Sequence, residues 1–179
     1  MKFILPLRCF LVLPFVLLFT SCATHSPRCE YVGVIAKARG VLPGGAILLH
    51  GDGDDRATTP QSFEPPVEIT IVAKTDSTNL RIGYVADQVI FNWELNPHEL
   101  RVDGGPADGR HLAGAGVIPV NKFVTIKWIV TPEQQVISVD GKQRFSHHGD
   151  YSHIYKPVTV FPAANSYVTV KSIKVRQIQ

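Results

Sequence analysis

Residues 67–75 read Val-Glu-Ile-Thr-Ile-Val-Ala-Lys-Thr, and this alternation constrains the chain more than any other feature. Successive residues of an extended strand point to opposite faces, so Val67, Ile69, Ile71 and Ala73 share one side and Glu68, Thr70 and Lys74 the other. The pattern recurs. Val89, Phe91, Trp93 and Leu95 oppose Gln88, Asn92 and Glu94, with Ile90 an apolar exception. Leu100 and Val102 oppose Glu99, Arg101 and Asp103. Val124, Ile126, Trp128 and Val130 oppose Thr125 and Lys127, with Ile129 an exception. Val168, Val170, Ile173 and Val175 oppose Thr169, Lys171, Lys174 and Arg176, with one slip near Ser172 that signals a bulge.

Further β-rich runs cover 31–36, 46–50, 80–84, 134–140, 142–146 and 158–161, separated by Gly, Pro, Asn and Asp clusters. Asp140-Gly141 is a hairpin signal, and Thr131-Pro132-Glu133-Gln134 suits a type I turn with Pro at its second position. No window sustains a helical period, and the prolines between 60 and 66 and at 97 forbid one locally. Many one-faced strands without helices predict an all-β fold, an antiparallel two-sheet β-sandwich or jelly roll. The apolar phase predicts Trp93 and Trp128 buried on facing sheets.

The first 21 residues are of another kind. Lys2 and Arg8 punctuate an apolar run that ends in Leu18-Phe19-Thr20-Ser21-Cys22. A charged start, apolar middle and small residues at the cut make a secretory signal. The placement of Cys22 resembles a bacterial lipobox, although Phe19 stands where Leu is usual. The alternatives are an ordinary secretory signal and a single membrane anchor, but about 20 uninterrupted apolar residues are needed to span a bilayer and this run is shorter. The chain thus divides into a lipoprotein signal peptide (1–21), a tether (22–30) and a β-sandwich domain (31–179). The implied setting is extracytoplasmic, in the cell envelope, lipid-anchored to a bacterial membrane through Cys22.

The whole chain has 18 Lys+Arg against 15 Asp+Glu, but Lys2 and Arg8 leave with the signal and no acidic residue does. The remainder is near neutral and has no Lys/Arg cluster, so the partners do not include nucleic acid. Of the three cysteines, Cys9 leaves with the signal and Cys22 would be lipidated; Cys29 remains as an unpaired thiol in the tether.

The segments Val67–Thr75, Phe123–Val130, Val136-Ile137-Ser138-Val139-Asp140-Gly141-Lys142 and Val168–Val175 together resemble the concanavalin A-like, or laminin-G-like, jelly roll. The last strand is also similar to the end of secreted bacterial domains of the 3-keto-disaccharide hydrolase type. This resemblance implies a sandwich, frequent carbohydrate binding and sometimes glycosidase activity; it assigns no functional residue. Glucanases of this fold carry Glu-x-Asp-x-x-Glu along one strand, whereas this chain has Asn92-Trp93-Glu94-Leu95-Asn96 at the nearest place.

Candidate ligand-binding residues come from the polar phase. Asn92, Glu94, Arg101 and Asp103 project together if their strands are neighbours, with Arg81 and Lys127 as further candidates. Planar polar groups of these types bind adjacent sugar hydroxyls in pairs. The glycine-rich connection from Gly104 to Gly116 is read as a loop rimming the sheet, contributing Arg110 and His111. The competing reading is a solvated face whose charges pair across strands. Catalytic residues are not assigned. No cofactor is expected: Asp52, Asp54 and Asp55 form a solvated turn, with a structural calcium as the alternative. His147, His148, Asp150 and His153 form a polar loop rather than a zinc site, because adjacent strand histidines point apart. Three functions are compatible with these residues: a jelly roll that binds glycan or another extracellular polymer without catalysis, a glycoside-acting hydrolase, and a structural or protein-interaction module of the envelope.

Overall fold

The computed structural model describes residues 30–179, so the signal, Cys22 and Cys29 lie outside the described residues. Fifteen strands run in order: β1 (Glu30–Val32), β2 (Ile35–Lys37), β3 (Gly40–Val41), β4 (Ile47–His50), β5 (Arg56–Thr58), β6 (Val67–Thr75), β7 (Leu80–Gly83), β8 (Gln88–Phe91), β9 (Glu99–Asp103), β10 (Arg110–Ala113), β11 (Val124–Val130), β12 (Gln134–Val139), β13 (Lys142–His148), β14 (Thr159–Phe161) and β15 (Tyr167–Gln177). One short 3₁₀ turn, Gly105–Ala107, is the only helical element among the described residues.

The strands make two antiparallel sheets. The first runs β13-β12-β11-β6-β15-β4-β3, with β1 also on β15 for eight strands; the second runs β10-β9-β8-β7-β14-β5-β2. The expected sandwich is therefore the fold. Its core comes from the apolar phases. Val67, Ile69, Ile71 and Ala73 from β6, Val124, Ile126, Trp128 and Val130 from β11, and Ile173 and Val175 from β15 meet Leu80, Ile82, Val89, Phe91, Leu100 and Val102 of the second sheet, all fully buried. The Tyr84 ring stands edge-on to the Trp128 indole, with centroids 6.1 Å apart, a favoured aromatic geometry.

Two local expectations hold for physical reasons. Asp140 and Gly141 both take positive φ (47° and 80°), as the two-residue hairpin between β12 and β13 requires. At the proline turn the main-chain bond runs opposite to that of the expected type I turn: Thr131 N–H donates to Gln134 O at 2.8 Å, while Gln134 N–H donates to Thr131 Oγ1 at 3.2 Å. The register of β15 against β6 slips between Val170 and Ser172, the expected bulge.

Two further readings change. The run 31–36 is two strands on different sheets: β1 pairs with β15 and β2 with β5, so the chain crosses the sandwich between them. The glycine-rich connection also contains β10, an edge strand paired to β9 over Arg110–Ala113. All four of its residues are exposed, which erases the alternation that marks a strand in sequence.

Candidate functional site

The outer face of the second sheet is polar, and its geometry depends on where β8 stops. Phe91 points into the core, but Asn92 then adopts φ 48° and turns its side chain inward. Its Nδ2 donates to Ile118 O (2.9 Å) and Ser77 O (3.3 Å), and its Oδ1 accepts the Ile118 N–H (2.8 Å). Asn is among the few residues that enter the left-handed region without large cost. This turn resets the phase of residues 93–95. Trp93, expected in the core, is only half-buried and lies on the polar face, and Leu95 is exposed. Asn92 accordingly is a structural residue beneath the face, not part of it.

Register fixes the rest. Phe161, Arg81, Ile90, Arg101 and His111 form one outward row across β14, β7, β8, β9 and β10. Gln88 and Asp103 are cross-strand partners in the next row, and opposed residues of an antiparallel pair project to the same side. A continuous hydrogen-bonded lattice joins these groups. Arg81 donates through Nη1 to Gln88 Oε1 (2.8 Å) and through Nη2 to Asn79 Oδ1 (2.9 Å), and reaches Glu94 at 3.3 Å. Gln88 Nε2 donates to Asp103 Oδ2 (2.7 Å), and Arg101 Nε donates to Asp103 Oδ1 (2.7 Å). The Arg101 guanidinium lies over the Trp93 ring, 4.7 Å from its centroid, and His111 meets that ring edge-on while pairing with Glu99.

Arg101 is thereby held on two sides. Asp103 fixes its Nε and Trp93 supports its plane, while its terminal nitrogens make no hydrogen bond to another described residue and 31% of its side chain is exposed. On the same face, beyond Arg81, a depression of about 260 Å³ is lined by Gly83, Thr159, Phe161, Arg56, Asp87 and Lys156. Arg56 stacks over Phe161 at 6.0 Å, and Lys156 pairs with Asp87 at 3.6 Å.

The structure thus brings together Arg81, Glu94, Arg101, Asp103 and His111, and separates three other candidates from them. Lys127 is on β11 of the opposite sheet, bound to Glu68 at 3.3 Å. The alternation placed it on a polar side but carried no information about which sheet. Arg110 opposes Val102, whose side chain points inward, so Arg110 turns to the sandwich rim rather than to the polar face. Asn92 is buried by its bonds to Ile118 and Ser77. Sequence reasoning missed Gln88, Asn79 and Trp93, and weighed Glu99 only as a hydrolytic carboxylate beside Glu94 and Asp103. Gln88 and Glu99 shared the polar phase and were legible there; Trp93 was hidden by the Asn92 turn.

The remaining clusters do not converge. Asp52 accepts two bonds from Arg39 (2.6 and 2.8 Å) and pairs with His50; burial opposes its ionisation, but these bonds outweigh it and hold its pKa below the ordinary carboxylate value. Asp55 accepts the His50 N–H and Asp54 faces Lys37. The carboxylates of the would-be calcium turn therefore face three different partners, and no group of three or more His, Cys, Asp or Glu fit to hold a metal occurs among the described residues. At the rim, buried Trp128 donates to Gln135, Gln135 donates to the Tyr151 hydroxyl, and that hydroxyl meets His147 Nδ1 at 2.8 Å. Burial, then the charges of Arg110 and His148, lower the His147 pKa. Asp150 is occupied by Ser152.

No family model and no curated protein sequence matches the chain. Solved structures do match in shape. A native glycosidic hydrolase superposes with a TM-score of 0.58 at 11% identity, covering 76% of this chain and 79% of that one. The β-glucanase of Bacillus licheniformis gives 0.57 at 9% identity, covering 78% and 82%. The fold is the concanavalin A-like jelly roll. A galectin of Caenorhabditis elegans shares this jelly roll at 12% identity, with a TM-score of 0.51 and coverage of 76% and 99%. At such identity the likeness is one of fold alone.

Proposed function

We propose that the outer face of the seven-stranded sheet binds a glycan without altering it chemically, on an extracytoplasmic protein tethered to a bacterial membrane through Cys22. The observation that carries the binding reading is Arg101: a guanidinium clamped by Asp103, flattened on Trp93, with its terminal donors open to a ligand. Fixed planar donors beside an aromatic ring suit adjacent hydroxyls on a sugar. Most charges on this face pair, Arg81 with Glu94, Arg101 with Asp103 and Lys156 with Asp87, which favours a neutral hydroxyl-rich ligand over a polyanion. Several proteins of similar fold are named for glycan chemistry, which supports the same class.

A glycan array identifies the ligand, and titration calorimetry with the best binder tests the site. Losing a hydrogen bond to a charged group costs about 1.5–3 kcal/mol, roughly tenfold or more in affinity. Arg101→Ala and Glu94→Ala are expected to abolish measurable binding of a weak ligand with thermal melting nearly unchanged. A collapsed melting temperature with intact binding would make these residues structural members of the polar lattice and move the ligand elsewhere. For the anchor, palmitate labelling of cells is expected to be lost in Cys22→Ser; equal label in both proteins would remove the lipid but not export.

The hydrolase reading draws on Glu94, Glu99 and Asp103. Two-carboxylate glycoside cleavage needs one group to offer a proton to the leaving oxygen, and here each carboxylate must first release a cation or an imidazole. Binding therefore leads.

A further inference from the structure

The described part of the chain is charge-balanced. The whole sequence carries a formal +3, the cations Lys2, Arg8 and Arg28 all precede residue 30, and no acidic residue does. That balance is uneven in space. The central strands β6, β11 and β15 of the eight-stranded sheet present Lys74, Lys127, Lys174 and Arg176 outward, and Lys171 is exposed at the β15 bulge. The outward positions of these strands hold one carboxylate, Glu68, which Lys127 (3.3 Å) and Arg176 (2.8 Å) share. Glu30 on β1 stands opposite Arg176 in register, and Asp140 and Asp76 border the face by accepting the Thr125 and Tyr167 N–H. Counting these three, cations still exceed carboxylates on this face.

We propose that this face lies against a surface of anionic lipid headgroups, so that the outer face of the seven-stranded sheet turns away from the membrane. Four of the five cations are lysines. An ammonium on a flexible stem acts as a point charge, suited to a plane of phosphates rather than to one shaped ligand. Thr70, Val72, Thr125 and Ser172 between them are short, while Ile129 shares the outward phase and the Lys74 ammonium lies 5.3 Å from the centroid of the exposed Phe123 ring. The place where the undescribed chain joins points the same way. Residue 30 begins β1, whose register sets Val32 opposite Lys174 and Glu30 opposite Arg176. A segment from Cys22 to Glu30 spans at most about 25–30 Å when extended. A lipid at Cys22 would therefore hold this edge of the sheet close to the bilayer. The anchor alone leaves the orientation free, and the charge surplus, acting within a screening length of about 8 Å, would set it. This inference rests on the proposed membrane tether at Cys22.

The test uses the full-length protein with vesicles of phosphatidylcholine alone or with one third phosphatidylglycerol. Amine acetylation read by mass spectrometry reports each lysine, and flotation of the same samples reports attachment. With anionic vesicles, acetylation of Lys74, Lys171 and Lys174 is expected to fall several-fold while Lys37 and Lys156 are unchanged, and about 1 M salt, where the screening length is about 3 Å, restores it. Each basic residue near an anionic bilayer contributes about fivefold in partitioning, so K74E/K171E/K174E is expected to lose the protection still readable at Lys127 and to lose at least about a hundredfold in charge-dependent affinity. The milder K171E/K174E, confined to two exposed positions, should lose it in part if the triple variant misfolds. Protein that floats with both vesicle types and shows the same footprint in each has an anchor but no docking face, which overturns the proposal and leaves the anchor standing. Face protection with flotation only on anionic vesicles supports the docking face and removes the anchor. Protection by soluble dextran sulfate but not by vesicles gives the face to a polyanion and overturns the lipid assignment.

Discussion

Trp128→Ala is expected to lower the free energy of unfolding by about 3–5 kcal/mol, a large share of the roughly 5–15 kcal/mol typical of a domain. Trp128 is fully buried on β11, the strand between β6 and β12, with Ile69 and Ile137 as its cross-strand partners. It meets Tyr84 of the other sheet edge-on, so truncation opens a cavity that both sheets line. A second effect adds to the first. Gln135 Oε1, also buried, accepts the indole N–H at 2.9 Å and would be left without that donor. Trp128→Phe separates the two contributions, since it keeps most of the ring volume and loses the hydrogen bond; its cost should be about 1–2 kcal/mol. Urea unfolding followed by tyrosine fluorescence or circular dichroism measures both. A midpoint unmoved by Trp128→Ala would mean that β11 turns its other face inward.

The contrast between the two tryptophans shows what the sequence could carry. Both sit on an apolar phase, and nothing in their neighbours distinguishes them. For β11 the phase holds from Val124 to Val130 because every alternate residue meets the facing sheet. Along 88–95 the same alternation continues on paper after the strand has ended at Phe91. The deciding event is a backbone angle at Asn92, stabilised by the Ile118 main chain 26 residues away, and no local pattern announces that partner. The polar face was legible in part for a related reason. Arg81, Glu94, Arg101 and Asp103 were readable as polar, and register then made them neighbours. Lys127 was equally polar, but which sheet a strand joins is a matter of topology, which alternation does not encode. β10 was missed because an edge strand exposed along its length has no buried face to mark.

Asn92→Ala is expected to cost about 3 kcal/mol and to remove glycan binding together with stability. The two parts of that figure come from different physics. Deleting the amide leaves the Ile118 N–H, with its carbonyl and that of Ser77, short of partners in a site where Asn92 is only 4% exposed, and an unpaired buried group costs about 1–3 kcal/mol. The alanine must also hold φ 48°, where a Cβ without a compensating polar side chain adds about 1–2 kcal/mol. Asn92→Gly relieves the second contribution and not the first, so it should recover about 1 kcal/mol. Function is lost too, because the turn at Asn92 delivers Trp93 beneath Arg101 and Glu94 beside Arg81. Denaturant melts paired with calorimetric binding check both halves: Arg101→Ala should lose binding alone, whereas Asn92→Ala should lose binding and stability together. If Asn92→Ala kept full stability, the Ile118 contacts would be idle. If it kept binding while unfolding more easily, Trp93 would not depend on the turn, and Asn92 would not build the site from beneath.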